Sequence, residues 1–173
     1  SSGITNNISA CVARPAHDLD AELVTHWIGN GTLNISLVVK NNENVDFDGY
    51  VRIYVMEKIS TLNWKDLQGK LYHHVFLDFA INKTVHVPAN GTWQETHVWD
   101  GNLHNDGKGH TFGNITPDNV VVVAAVSDGT AHTAYSNPPT GNMFNAYWTD
   151  ETVMAEPGPL GADAFTLPEA GGK

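Results

Sequence analysis

Thiol chemistry and disulfide cross-linking are the first things this sequence cannot build, because its 173 residues hold a single cysteine, Cys11. One thiol closes no internal disulfide and completes no C-x-x-C or multi-cysteine zinc pattern. Cys11 reads as a small apolar residue in a strand rather than an interchain bridge or a reactive thiol. Basic residues are also scarce. Nine Lys plus Arg against 19 Asp plus Glu leave a net charge of −10, which argues against nucleic acid as a partner, since a phosphate backbone needs a positive surface. No apolar run approaches membrane-spanning length, so no membrane span is expected. No basic, apolar signal segment opens the chain, as in a soluble or already processed form. The G-x-S-x-G elbow and the glycine patterns of phosphate and dinucleotide sites are missing too. With no histidine before His17, Cys11 lacks a sequence-adjacent base. An enzyme is therefore not the expected class, and no cofactor is expected.

What is present in excess is the triplet N-x-[ST]. It occurs at Asn7, Asn30, Asn34, Asn82, Asn90 and Asn114, never with proline in the middle. Chance placement of 17 Asn and 22 Ser plus Thr in 173 positions gives about two such triplets. These asparagines are candidate N-glycosylation acceptors, and an exported, glycan-bearing chain is expected. Turns favour Asn, Gly and Thr for their own reasons, which is the competing explanation. Asn114 is the weakest acceptor, because Pro117 stiffens the backbone just after its triplet.

Apolar residues recur with period two. Leu33, Ile35, Leu37 and Val39 share one face of a strand, with Asn34, Ser36, Val38 and Lys40 on the other. Val51, Ile53 and Val55 repeat the pattern, with Tyr50, Arg52, Tyr54 and Met56 opposite. Between them K-N-N-E-N-V-D-F-D-G reads as a hairpin or a sheet-to-sheet loop. Residues 59–70 read as a long loop. From Leu71 the inward set is Leu71, His73, Val75, Leu77, Phe79 and Ile81, with Tyr72, His74, Phe76, Asp78 and Ala80 outward. Residues 84–87, the turn P-A-N-G and residues 92–99 read as a hairpin, with Asn90-Gly91 supplying positive φ angles. Residues 119–126 form a Val/Ala run expected of a central strand, and 131–136 with 144–155 supply one or two more. The expectation is an all-β fold: an immunoglobulin-like antiparallel β-sandwich of about seven or more strands, with a closed barrel as the alternative. Its expected divisions are an N-terminal extension at 1–22, the sandwich at 23–155 and a Pro/Gly-rich tail at 156–173.

The succession L-N-I-S-L-V-V-K-N-N, G-Y-V-R-I-Y-V-M-E-K, V-H-V-P-A-N-G-T-W-Q-E-T-H-V-W and N-V-V-V-V-A-A-V-S-D, over about residues 30–150, resembles the Ig-like modules of prokaryotic cell-surface proteins. These include CARDB-type adhesion repeats and the Ig-like module that follows a thioredoxin-type domain in some archaeal envelope proteins. L-Y-H-H-V-F-L-D-F-A-I-N and A-Y-S-N-P-P look particular to the archaeal group. The resemblance implies display, adhesion or assembly rather than a reaction. No thioredoxin part is present.

Other clusters have plainer readings. His73 and His74 point to opposite faces of a strand and cannot share a metal from one face, and His73 is expected in the core. His104, Asp106 and His110 could surround an ion in their Gly-rich loop, but the spacing matches no zinc or copper pattern. Asp46 and Asp48 lack the remaining oxygen ligands of an EF-hand and read as a solvated acidic loop. The five tryptophans, 27, 64, 93, 99 and 148, read as packing rather than as a sugar platform. In the N-terminal extension Ile4, Ile8, Ala10 and Val12 share one face of an extended segment, which could add as a strand to a neighbouring copy. The expected function is a non-catalytic, N-glycosylated extracellular structural protein, self-associating through its tails into a surface filament or layer. The alternative is an extracellular carbohydrate- or calcium-binding adhesion module.

Overall fold

The computed structural model describes Arg14, residues 16–137 and residues 140–159. Asn7, Cys11 and the proposed donor face at Ile4 to Val12 lie outside the described residues, as does the C-terminal tail beyond Pro159. Ten strands and one short turn of 3-10 helix follow in order: β1 (Leu19–Gly29), β2 (Thr32–Asn41), β3 (Phe47–Ile59), β4 (His73–Val87), β5 (Thr92–Asp100), the helical turn Gly101–Leu103, β6 (Val120–Asp128), β7 (His132–Asn137), β8 (Thr140–Ala146), β9 (Thr149–Ala155) and β10 (Gly158–Pro159). One sheet runs β10-β1-β2-β5 and the other β4-β3-β6-β9, while β7 and β8 pair alone. Except for the parallel contact of β10 with β1, every pairing is antiparallel. The chain is an all-β, Ig-like antiparallel sandwich.

The inward alternation of the sequence is the core. Leu33, Ile35, Leu37 and Val39 of β2 are fully buried against Val51, Ile53 and Val55 of β3 and Val122, Ala124 and Val126 of β6. Each such side chain contributes roughly 1.5–3 kcal/mol of burial free energy. β6 lies between β3 and β9, as a nearly continuous Val/Ala run requires. β1 begins at Leu19, within the segment read as an extension, and it alternates Leu19, Ala21, Leu23, Thr25 and Trp27 toward β2's inward residues. Its turn to β2 is Asn30-Gly31, with φ of 51° and 74°, the two positive angles a two-residue hairpin needs. At Gly31 a Cβ would stand 2.5 Å from the Gly113 carbonyl oxygen, so that position admits only glycine.

Three expectations are corrected by the structure. The strands on either side of P-A-N-G do not pair: β4 is bonded to β3 and β5 to β2, so the turn carries the chain from one sheet to the other. Asn90 supplies a positive φ of 52° and Gly91 does not. His73 is exposed, because it pairs with Ile59 at the last rung of the β3–β4 ladder, where the core has ended. Finally, β4 does not keep its alternation. Its register with β3 shifts twice, between Ile53 and Tyr54 and between Val55 and Met56, so that Phe79 stands opposite outward-facing Tyr54 and Asp78 opposite inward-facing Val55. Bulges re-aim side chains in this way.

The two sheets are tied at one end by Asn41, which is fully buried. Its Nδ2 donates to the carbonyls of Val45 at 2.8 Å, Val87 at 3.2 Å and Pro88 at 3.3 Å, and its Oδ1 accepts from the Glu43 N–H at 3.0 Å. Glu57, also buried, fixes the start of the loop after β3 by accepting from the Thr61 N–H at 3.0 Å and hydroxyl at 2.6 Å.

Candidate functional site

The acceptor asparagines that the structure describes all lie off the core. Asn30, Asn82, Asn90 and Asn114 are exposed and Asn34 is half-buried. Asn30 and Asn90 occupy turns, both in the left-handed region that asparagine tolerates. Asn34 lies on the outward side of β2, between buried Leu33 and Ile35. Asn82 faces out of edge strand β4, where its Oδ1 accepts from Arg52 Nε at 3.3 Å. Asn114 follows Gly113, which abuts Gly31, so Asn30 and Asn114 share one end of the sandwich.

The loop between β5 and β6 does not bring its two histidines to one point. His104 Nδ1 meets Asp78 Oδ2 at 2.7 Å and its ring stacks on Trp99 at 4.9 Å between centroids. His110 Nδ1 instead bonds Asp106 Oδ2 at 2.9 Å. That contact, with the N–H groups of Lys108 and His110, holds the Asp106 carboxyl down at about 2. The loop is anchored by buried Phe112 and Ile115. Asp100 begins it, its carboxyl lowered by the Asn102 N–H and side chain. The Asp78–His104 pairing was not legible in the sequence, because only the β4 bulges turn Asp78 toward the loop. It has the carboxylate–imidazole half of a catalytic triad, yet among the described residues no hydroxyl bonds to the imidazole.

Asp46 and Asp48 are likewise drawn apart. Asp48 Oδ1 bonds His86 Nδ1 at 2.8 Å, and Asp46 Oδ1 accepts from the Ala89 N–H at 2.9 Å. The Asp48 contact raises the His86 pKa above its ordinary value, with the charges of Asp48 and Asp46 adding to it. Tyr50, Thr84 and His86 line a hollow of about 470 Å³. Both imidazole nitrogens of His86 face carboxylates, Nε2 lying 3.9 Å from Asp46 Oδ2, so neither is free to activate a neighbouring hydroxyl. No three His, Cys, Asp or Glu side chains among the described residues converge as a metal site.

The aromatic residues divide sharply. Trp99 is fully buried, and Trp27, Trp64 and Trp93 pack against the core. Trp148 is exposed, with Arg14 stacked over it at 5.5 Å. A second group lies outside the core altogether. Tyr54, Phe76 and Phe79 form a cluster on the outer side of the β4-β3-β6-β9 sheet, with centroids 4.8–5.8 Å apart and planes inclined by 53–71°. Such mutually tilted rings offer no flat platform for a sugar ring. Beside them Arg52 sits 5.8 Å from the rings of both Tyr50 and Tyr147. The sequence reading had placed Phe79 inward and missed this cluster.

Fold and surface define an Ig-like sandwich module whose chemistry-bearing side chains are paired off rather than gathered. No family model matches the chain, and no curated protein matches it. The resemblance to CARDB-type repeats therefore has no counterpart in these comparisons. Solved structures do share the fold. HBP35 of Porphyromonas gingivalis superposes with a TM-score of 0.57 at 12% identity, over 97% of this chain and 51% of that one, so this chain spans about half its length. A domain of the outer membrane lipoprotein Omp28 from Porphyromonas gingivalis gives 0.51 at 13% identity, over 84% of this chain and 92% of that domain. A β-glucosidase from Erythrobacter marinus matches at 0.42, along only 15% of its length. No helix among the described residues is long and apolar enough to cross a membrane.

Proposed function

We propose that this chain is a non-catalytic module that works at the cell surface or outside the cell, N-glycosylated and serving structure or display. The observation that carries the reading is the placement of the acceptors: six triplets in the sequence, and every described one on a turn, loop or outward strand position. Sugar at such positions would leave the core untouched. The likeness in fold to a domain of an outer membrane lipoprotein supports a surface location. Strand layout supports an assembling role. The chain enters β1 beside Asn41 and leaves β10 beside Trp27, so its two ends lie at opposite poles, about 36 Å apart along the 11 residues of β1. That geometry suits modules joined end to end, and an apolar-faced extension such as Ile4 to Val12 would supply the joining strand to the next copy.

The test is intact mass of the protein from its native source, before and after enzymatic removal of N-glycans, with electron microscopy of the assembled form. Mass above that of the bare polypeptide, lost on deglycosylation, is expected, as is disassembly on deletion of residues 1–13. A native chain at its bare mass, monomeric and turning over a substrate, would refute the reading.

A further inference from the structure

The outer face of the β4-β3-β6-β9 sheet is apolar where that of its partner sheet is polar. Rungs of the ladders set Phe76 beside Met56, Phe79 beside Tyr54, Met56 beside Val121, Tyr54 beside Val123, and Val123 beside Met154. The result is one band crossing all four strands. Met154 at its β9 edge is 62% exposed and Phe76 at its β4 edge 42%. Aromatic residues and methionine are the types enriched at protein–protein contacts, and charged residues are depleted at their centres. The tilted rings make a corrugated surface, which another protein surface can interdigitate with and a sugar ring cannot lie flat on.

The charges that border the band say what could cover it. At one end stands Arg52, held by Tyr50 and Tyr147, with no carboxylate partner among the described residues. At the other end stands Glu156, 59% exposed at its side chain, paired with Lys58 at 2.8 Å. Arg52 and Lys58 are six residues apart on β3, about 20 Å, and the midpoint falls between Tyr54 and Met56, at the centre of the band. A two-fold axis there, lying between the two faces and perpendicular to β3, brings Arg52 of one copy over Glu156 of the other, twice. We propose that two copies of this chain pair back to back through this sheet, with the aromatic band at the centre and reciprocal Arg52–Glu156 contacts at the rim. An isologous contact requires such self-complementarity. Four strands side by side are about 19 Å wide and the 13 residues of β3 about 43 Å long. Their product is on the order of 800 Å², the area each partner contributes to a standard interface. The pairing is separate from any joining of the chain ends, and it stands whether or not the tails exchange strands.

Sedimentation equilibrium of the full chain carrying Thr84→Ala tests it, since that change removes the triplet at Asn82, whose side chain borders Arg52. A concentration-dependent dimer is expected. Met154→Lys and Phe76→Lys should each weaken it at least tenfold, with far-UV circular dichroism and thermal unfolding showing that the exposed positions tolerate the change. Arg52→Glu should weaken it, and Arg52→Glu with Glu156→Arg should recover most of the loss. Thr96→Lys, on the opposite sheet, should leave it unchanged. A chain that stays monomeric to about millimolar concentration, or a dimer indifferent to both lysine substitutions, overturns the proposal. Loss of tail-dependent assembly with this dimer intact would count against the end-to-end reading alone.

Discussion

The two sheets bury nearly the same kind of inner face and turn opposite kinds of outer face to their surroundings. On the β1-β2-β5 sheet the outward positions of the central strand are Thr32, Asn34, Ser36, Val38 and Lys40, flanked by Asp20 and Glu22 on β1 and by Thr92, Gln94 and Thr96 on β5. Ser36 and Thr96 hydroxyls bond each other across the strands at 2.9 Å. On the other sheet the corresponding positions carry Tyr54, Met56, Phe76, Phe79, Val123 and Met154. Inner faces report what folding needs, whereas outer faces are free to differ, so a difference there reports on what each surface meets.

The largest effect expected bears on what the two sheets share. Asn41→Ala removes the one side chain that binds the end of β2 to the carbonyls closing β4. It leaves those buried acceptors unmet, and urea unfolding should show a loss of about 2–3 kcal/mol. A loss below about 0.5 kcal/mol would mean that water replaces the amide without cost. A smaller effect should separate the two outer faces. Phe79→Ala strips a half-buried ring from the aromatic cluster and should cost about 1–2 kcal/mol, while Ser36→Ala on the polar face should stay within about 0.5. Equal costs at the two positions would erase the contrast.

The mildest effects are those of pH, carried by exposed pairs at the sandwich rim. Glu43 is held below its ordinary pKa by its hydrogen bond to His17 and by the Asp18 N–H, and Asp106 is held at about 2 by His110. A carboxyl with a lowered folded pKa stabilises the fold above its unfolded value. That contribution should fade as pH falls from the usual carboxylate range, about 4, toward about 2. His86 has the opposite sign. Its folded pKa is raised by Asp48 above 6.5, so its contribution is complete below that value and is lost as pH rises through the folded pKa. An NMR titration should place the His86 midpoint above 6.5 and move it down in Asp48→Asn. An unmoved midpoint would remove Asp48 as the cause.

Much of this was legible in the sequence where period two ran unbroken. Leu33 to Val39 and Val51 to Val55 fall inward as their alternation requires, and Asn30-Gly31 makes the turn its chemistry favours. Legibility failed for two physical reasons. Turn residues announce that the chain reverses, not whether the strands on either side then pair, so P-A-N-G looked like a hairpin and is a crossing between sheets. And alternation can be counted only until a bulge adds a residue. After the shift at Ile53 and Tyr54, every assignment along β4 back to His73 was exposed to error. Phe79 moved to the outer cluster, and Asp78 turned to His104, a partner 26 residues away whose loop has no periodicity to read. The acceptor triplets, by contrast, needed no fold to be found, and the structure adds where each described one stands.

The layout of the chain ends has a mechanical corollary. Tension applied between the start of β1 and the end of β10 would run along the strands, since those points lie at opposite poles. To yield, β1 would have to slide past β2 along a ladder stretching from Leu19–Asn41 to Gly29–Thr32. Rungs loaded side by side fail together rather than unzipping one at a time, so the same arrangement that lets modules be strung in a line also makes each link resist being drawn out.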